Sequence, residues 1–222
     1  MNETTQRDDA STTVLLADDH AIVRMGFRLL LETAGEYRVV GEAATGEEAW
    51  SLYFKLNPDV LVIDIAMPGK GGLEAINRIL ARAPEARILV LSAHEDTSYT
   101  RRAIQAGALG YLSKRGAPAE LLQAVKAVAR GASYIESEIA QRLAVQGVKG
   151  TRGPLDTLSE REFEVFLHLA AGKSVAQIAE LLSLSPRTIG THLYNVKQKL
   201  SAHNAAELTL IALRAGLLNE GM

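Results

Sequence analysis

The chain has 222 residues, 47% of them hydrophobic and 23% charged, with a formal net charge of −2 and no cysteine. That length is generous for one α/β unit and comfortable for two domains, and the lack of cysteine excludes disulfides and thiolate metal centres. A net charge so close to zero does not announce a nucleic-acid partner through bulk electrostatics, so any such reading must rest on a local surface. No apolar run is long enough to span a bilayer, and the polar, acidic start (Asp8, Asp9) has no signal-peptide core. The expectation is a cytoplasmic protein with no membrane partner.

Residues 1–12 are polar and aperiodic and read as a flexible tail. Val14 to Ala17 is the first predicted strand, with Asp18, Asp19 and His20 at its end. Ile22, Val23, Phe27, Leu30 and Leu31 recur at helical spacing, and Gly35 stops that helix. Tyr37 to Val40 is a second strand. Thr45, with Glu48 three residues on, is an N-cap signal before Ala49, Leu52, Tyr53 and Leu56. Val60 to Ile63 is a wholly apolar run with three β-branched residues, as suits a strand buried on both faces, and Asp64 stands at its carboxyl end. Pro68, Gly69, Gly71 and Gly72 then open a loop. A helix follows over about 72–83, a fourth strand over 87–91 ending in Ser92, and a helix capped by Asp96 and closed by Gly107. A short fifth strand at 109–112 leads to Ser113 and Lys114, and Pro118 opens a helix bearing Leu121, Leu122, Val125 and Val128.

Strand and helix thus alternate five times. The pattern predicts a flavodoxin-like, doubly wound, five-stranded parallel sheet of order 2-1-3-4-5, with right-handed crossovers and helices on both faces. A further helical stretch runs from Ser133 to about Val145, and residues 147–154 read as a linker. Beyond it the pattern is purely helical. Capping boxes at Ser159/Glu162 and Ser174/Gln177 and a cap at Ser185 before Pro186 each open a helix, and a fourth helix covers about 204–215. The predicted division is a tail at 1–12, an α/β domain at 13–131, a connecting helix and linker at 132–154, and a small all-α domain of four helices at 155–222.

Four strand ends carry polar residues: Asp18 and Asp19, Asp64, Ser92, and Lys114. All fall on the carboxyl edge of the predicted sheet, where open α/β sheets bind ligands. Carboxylates held together repel one another, and a divalent cation makes them tolerable. Mg²⁺ suits one or two carboxylates, waters and a phosphate, and a lysine and a hydroxyl nearby can hold phosphate oxygens. In that reading Asp64 is a nucleophile that forms an aspartyl phosphate. The competing reading makes Asp18 and Asp19 a helix cap and Lys114 a solvated side chain.

Four segments of this half resemble the receiver domains of bacterial two-component response regulators: Ala-Asp-Asp-His at 17–20, Asp-Ile-Ala-Met-Pro-Gly at 64–69, Leu-Ser-Ala-His at 91–94 and Gly-Tyr-Leu-Ser-Lys at 110–114. The resemblance implies that Asp64 takes a phosphoryl group from a sensor histidine kinase. It assigns Mg²⁺ to Asp18, Asp19, Asp64 and the Ala66 carbonyl, phosphate contacts to Ser92 and Lys114, and a switch role to Tyr111, which turns inward when Ser92 moves. Ala66 and His94 occupy variable positions flanking the pocket.

In the helical half, a short helix, a turn around 183–185 and a longer helix form a helix-turn-helix signal. The segment 185–201 carries Arg187, Lys197 and Lys199 and no acid, although a lone basic helix is also a common solvated face. Leu158-Ser159-Glu160-Arg161-Glu162, Ala171-Gly172-Lys173-Ser174 and Leu184-Ser185-Pro186-Arg187-Thr188-Ile189, with His192, Asn195 and Lys199-Leu200 after them, resemble the LuxR-type DNA-binding domain. The two halves in this order resemble the NarL/FixJ subfamily. The resemblance sends helix 186–200 into the major groove of double-stranded promoter DNA. Arg187, Thr188, Thr191, His192 and Asn195 are then candidates for bases and phosphates, Lys197 and Lys199 for phosphates, and the last helix for pairing two copies. Gly190 departs from the lysine common in that family.

The resulting expectation is a phosphorylation-switched, homodimerising transcription factor, not an enzyme beyond its own phosphoryl transfer and dephosphorylation. Unphosphorylated, the receiver would cover or misorient the helical domain. The rival enzymatic reading is an aspartate-nucleophile phosphohydrolase, which lacks any inserted cap or substrate loop between the strands. A third is a binding module regulated by partners without phosphate.

Overall fold

A computed structural model describes residues 11–67, 71–93, 97–116, 118–148, 154–182, 184–215 and 217–218. The α/β half runs β1 (Thr12–Ala17), α1 (Ala21–Thr33), β2 (Tyr37–Ala43), α2 (Gly46–Leu56), β3 (Val60–Asp64), α3 (Gly71–Arg82), β4 (Ile88–Ser92), α4 (Thr97–Ala106), β5 (Gly110–Ser113), α5 (Pro118–Ala129) and β6 (Tyr134–Ile135). Every strand pair is parallel, in the order β2-β1-β3-β4-β5-β6. The doubly wound sheet and the order of its first five strands agree with the sequence reading.

The sheet has six strands instead of five. The sequence pattern predicts a helix from Ser133 over residues 134–135. Instead, Tyr134 N–H donates to the Leu109 carbonyl at 3.0 Å, Glu136 N–H donates to the Tyr111 carbonyl at 3.2 Å, and α6 begins only at Ser137 (Ser137–Val148). Two residues are too short a run for periodicity to reveal. Likewise β1 starts inside the stretch read as a tail, because Thr12 N–H donates to the Glu36 carbonyl at 2.9 Å. Residues 1–10, the Pro68–Gly69 turn, His94, the Asp96 cap and residues 149–153 of the predicted linker lie outside the described residues. The start of that linker is the end of α6.

Alternation along the strands explains the two layers. Val14, Leu16, Val60, Val62, Leu89 and Leu91 face α1 and α5, where Leu31, Leu121, Val125 and Val128 meet them. Leu15, Leu61, Ile63, Ile88 and Val90 face the other way, toward Ala49, Tyr53, Ile76, Ile79 and Ala103 of α2, α3 and α4. A strand buried on both faces needs an apolar residue at every position, and the central strands comply until Asp64 and Ser92.

After a 3₁₀ turn (Pro154–Thr157), the helical half contains α7 (Glu160–Ala170), α8 (Val175–Leu181), α9 (Pro186–Leu200) and α10 (Ala205–Arg214). Both capping boxes form in full, and Ser185 caps α9 with Pro186 in its first turn. Phe163, Phe166, Ile178, Ile189, Val196, Leu200 and Leu208 build its core, which is continuous with the α2–α4 side of the sheet. The junction is specific. The Tyr99 and Phe163 rings meet edge-on at 5.0 Å, the Arg102 guanidinium lies 4.5 Å over Phe163, and Arg102 Nη2 donates to the Leu155 carbonyl at 2.7 Å.

Two glycines on helices differ sharply in their surroundings. A Cβ on Gly72 would sit 1.9 Å from the Asp64 carbonyl oxygen, whereas a Cβ on Gly190 would meet nothing within 4 Å. Gly72→Ala should therefore destabilise the protein by about 2–3 kcal/mol, since a backbone group must move. Gly190→Ala should stabilise it by up to about 1 kcal/mol through helix propensity alone. Urea titrations of the two variants beside the wild type check both signs.

Candidate functional sites: an acidic pocket and an exposed recognition helix

The parallel register gathers four loop-facing residues at one edge. Asp18 follows the last residue of β1, Asp64 ends β3 opposite Leu91, Ser92 ends β4 opposite Ser113, and Lys114 follows β5. Lys114 N–H donates to the Ser92 carbonyl at 2.8 Å, which fixes the lysine's backbone beside β4. Its Nζ lies 2.6 Å from Asp18 Oδ2 and 2.7 Å from Asp64 Oδ2. Asp64 Oδ1 accepts a hydrogen bond from the Ala66 N–H at 3.1 Å. Asp18, Asp64 and Ser92 are buried, Asp19 and Lys114 are partly so, and Ala66 is exposed. One ligand atom from each of Asp18, Asp19, His20 and Asp64 can be chosen within a 4.8 Å span.

The pocket is short of positive charge. Lys114 is shared between two carboxylates, and Asp19 Oδ1 has His20 Nδ1 at 2.9 Å. Asp18 Oδ2 and Asp19 Oδ1 are buried yet lack a well-aligned hydrogen bond, so charge alone satisfies them. Burial drives the Asp64 carboxyl above the ordinary aspartate range, against the pull of Lys114 and the Ala66 amide. Burial works to lower the Lys114 ammonium, but Asp64 and Asp18 outweigh it and hold it above the usual lysine value. Hard oxygen donors with buried, under-satisfied lone pairs match what a small divalent cation requires.

A shell the sequence did not announce supports Asp18. Arg24 Nη1 donates to the Asp18 carbonyl at 2.5 Å and Nε to Glu42 at 2.9 Å, while Arg28 Nη1 reaches the same glutamate at 2.8 Å. Glu136 takes the Ser113 N–H at 2.8 Å and so fixes the end of β5. Spacing could have hinted at Arg24, one helical turn past His20, but no local pattern links it to Glu42. Tyr111, read as the switch aromatic, is fully buried; β6 covers its strand, so it is not on an edge.

On α9, Ile189, Val196 and Leu200 face the core. Of the residues proposed for DNA, Arg187 and Thr191 lie on the outward side and are exposed, while Thr188, His192 and Asn195 lie on its flanks and are half-buried. Lys199 Nζ is 2.6 Å from Glu162, and Lys197 Nζ donates to the His203 carbonyl at 3.1 Å. Burial works to raise the Glu162 carboxyl, but Lys199 and the Ser159 amide outweigh it and hold the group below the usual glutamate range. Lys199 therefore ties α9 to α7 in this structure. The line of side chains farthest from the core also includes two residues that the sequence reading passed over, Tyr194 and Gln198, both exposed.

Comparison with known proteins agrees with both halves. Residues 14–126 match the response regulator receiver domain, and residues 156–212 match the bacterial regulatory proteins of the luxR family. The chain is 41% identical over 208 residues to the response regulator UvrY of Escherichia coli K12, covering 93% of this chain and 95% of UvrY. It is 38% identical to the response regulator GacA of Pseudomonas aeruginosa, over 93% of this chain and 97% of GacA. Among solved structures it resembles RcsB of Salmonella enterica serovar Typhimurium bound to a promoter in the presence of phosphomimetic BeF3⁻. That match has a TM-score of 0.67 and 30% identity, over 91% of this chain and 98% of RcsB. A two-component regulator of the LuxR family from Aurantimonas matches with a TM-score of 0.61 and 41% identity, over 63% of this chain and 99% of that one. The chain belongs to the NarL/FixJ family of two-component response regulators, a receiver followed by a LuxR-type helix-turn-helix domain. It is a DNA-binding transcription regulator.

The raised Asp64 carboxyl has a consequence for stability. Its folded-state value exceeds its unfolded one, so the folded protein binds the proton more tightly. Stability attributable to this group is present below the unfolded value and is lost as pH rises through the folded one. In EDTA at neutral pH, Asp64→Asn should therefore melt at a higher temperature than wild type. The gap should close as pH falls to the ordinary aspartate value. Thermal melts across that range check it.

Proposed function

We propose that Asp64 is the phosphoryl acceptor of this regulator and that a sensor histidine kinase is its donor. The observation that carries the reading is Lys114 Nζ between Asp18 and Asp64, at 2.6 and 2.7 Å, at the carboxyl edge of the sheet. Transfer breaks the P–N bond of a phosphohistidine and forms a P–O bond to an Asp64 carboxylate oxygen. The Asp18, Asp19 and Asp64 carboxylates, with the Ala66 carbonyl, would hold Mg²⁺, which neutralises charge on the phosphoryl oxygens when bound. Ser92 and Lys114 take up phosphoryl oxygens. The Ala66 N–H, already bonded to Asp64 Oδ1, orients the nucleophile. The same pocket would later admit water and hydrolyse the acyl phosphate, the only turnover assigned to the protein.

In this reading the DNA-binding domain is 155–222, and the receiver, expected at 13–131, extends from β1 at Thr12 through β6 at Ile135, which belong to the same sheet. Helix α9 enters the major groove of promoter DNA, with Arg187 and Thr191 foremost. Two copies pair on DNA, and Leu210, an exposed apolar residue on α10, supports pairing there. Tyr111, already inward, is the switch aromatic. Phosphorylation shifts an existing equilibrium between domain arrangements. The outward face of α9 is open while α4 holds α7, which favours control through orientation and pairing over simple masking. No described helix is long and apolar enough to cross a membrane, in keeping with a cytoplasmic site of action.

Intact-protein mass spectrometry after treatment with acetyl phosphate and Mg²⁺ tests the core of this reading. Wild type should gain one phosphoryl group, about 80 Da, and Asp64→Asn should gain none. A gain in both would put the acceptor elsewhere.

A further inference from the structure

The outward face of α9 carries a residue to which no DNA role has been given. Tyr194 is 64% exposed, the most exposed aromatic side chain among the described residues and the only large apolar one exposed on α9. It falls one and two turns after Thr191 and Arg187, opposite the buried line of Ile189, Val196 and Leu200. Seven residues separate Arg187 from Tyr194, about 10 Å of helix axis, which fits within a major groove about 12 Å wide. Gln198, a further turn on, lies beyond that span.

Helical side chains lean toward the N-terminus, so the Tyr194 ring extends over the turn that holds Gly190 and Thr191. Gly190 contributes no side chain there, and the space a Cβ would enter is free of other atoms to 4 Å. The result is a notch in the helix surface one turn before Tyr194 on the same face, with no side-chain atom of the tyrosine within 4 Å of the missing Cβ. A base-pair edge can approach the backbone at that point as it could not beside a long side chain. Lys197 and Lys199 are engaged with His203 and Glu162, and His192 and Asn195 are half-buried, so readout on this face falls to few residues.

We infer that Tyr194 is a specificity-determining residue that reads a thymine in the major groove, its ring packing on the 5-methyl group across the notch at Gly190. An apolar group against the thymine methyl is an ordinary mode of base recognition. This inference rests on α9 being the helix that enters DNA. An exposed tyrosine as a solvated surface residue is the alternative that the test must exclude.

The test uses the full chain with Mg²⁺ and beryllofluoride and a pool of random-sequence duplexes. Wild type, Tyr194→Phe and Tyr194→Ala are compared on the site that wild type selects. Each thymine of that site is then replaced by deoxyuracil, which removes only the methyl group. Wild type and Tyr194→Phe should lose about fourfold in affinity at one thymine position, the effect of one buried methyl. Tyr194→Ala should be indifferent at that position. All three should bind scrambled duplex equally, with the same salt dependence. If wild type is indifferent to every replacement, or Tyr194→Ala shows the same fourfold loss, the inference is overturned. Equal weakening of Tyr194→Ala on selected and scrambled duplex overturns it too. If wild type selects no site at all, the DNA reading of α9 falls first and this inference with it.

Discussion

The structure depends on how much negative charge can be held at one end of a parallel sheet. Asp18 and Asp64 are buried, Asp19 is beside them, and one ammonium group is shared between the first two. Two charges about 4 Å apart interact by several kcal/mol at the effective dielectric of a protein surface. Lys114 offsets that repulsion, yet burial outweighs the pull of Lys114 and the Ala66 amide and keeps the Asp64 carboxyl raised, with Asp18 adding a smaller push. Much of the neighbouring architecture keeps these groups from relaxing apart. Arg24 holds the Asp18 carbonyl, Glu42 holds Arg24, and Gly72 lets the backbone of α3 press against the Asp64 carbonyl where any other residue would collide. In the proposed phosphoacceptor role the carboxylates would thus be preorganised for an incoming cation and phosphoryl group, at a cost in stability that the apolar sheet beneath them offsets.

Most of this was legible in the chain, because a parallel sheet turns one-dimensional order into an edge. Every strand that ends in a polar residue delivers it to the same side, so Asp18, Asp64, Ser92 and Lys114 could be brought together from strand ends alone. The caps were equally readable, since Ser159 with Glu162 and Ser174 with Gln177 are local signals with a local physical cause. What stayed hidden was either too short or non-local. β6 has two residues and exists only because β5 offers it a free edge. The Arg24–Glu42 tie joins α1 to β2. The engagement of Lys199 by Glu162 joins α9 to α7 across 37 positions, and gives an acidic partner to an exposed lysine that its sequence neighbourhood marks as available.

The same limit applies at the junction between the halves. Tyr99 and Phe163 sit in segments that read as unrelated amphipathic helices, yet their rings meet at 5.0 Å under the Arg102 guanidinium. Arg102 also bonds the Leu155 carbonyl, at the point where the chain enters the helical domain. An aromatic pair with a cation over it is worth a few kcal/mol at most, in addition to the core that the two halves share. For the proposed switch, the contribution of that contact is comparable to what a new phosphoryl group and its hydrogen bonds can supply.

The position of that junction decides what a switch can do. α4 begins five residues after Ser92, and it presents Tyr99 and Arg102 to α7. Displacement of Ser92 toward a phosphoryl group would thus reach α4 before any other part of the helical domain's contact. The grip is on α7, not on α9, whose outward face stays open. Loosening it would change where two recognition helices can stand relative to each other, while leaving each helix intact. If two copies pair on DNA as proposed, they must meet two half-sites about one helical turn apart, and control of that spacing would be sufficient to control binding. In the proposed switch, orientation would achieve what covering the helix would otherwise have to do.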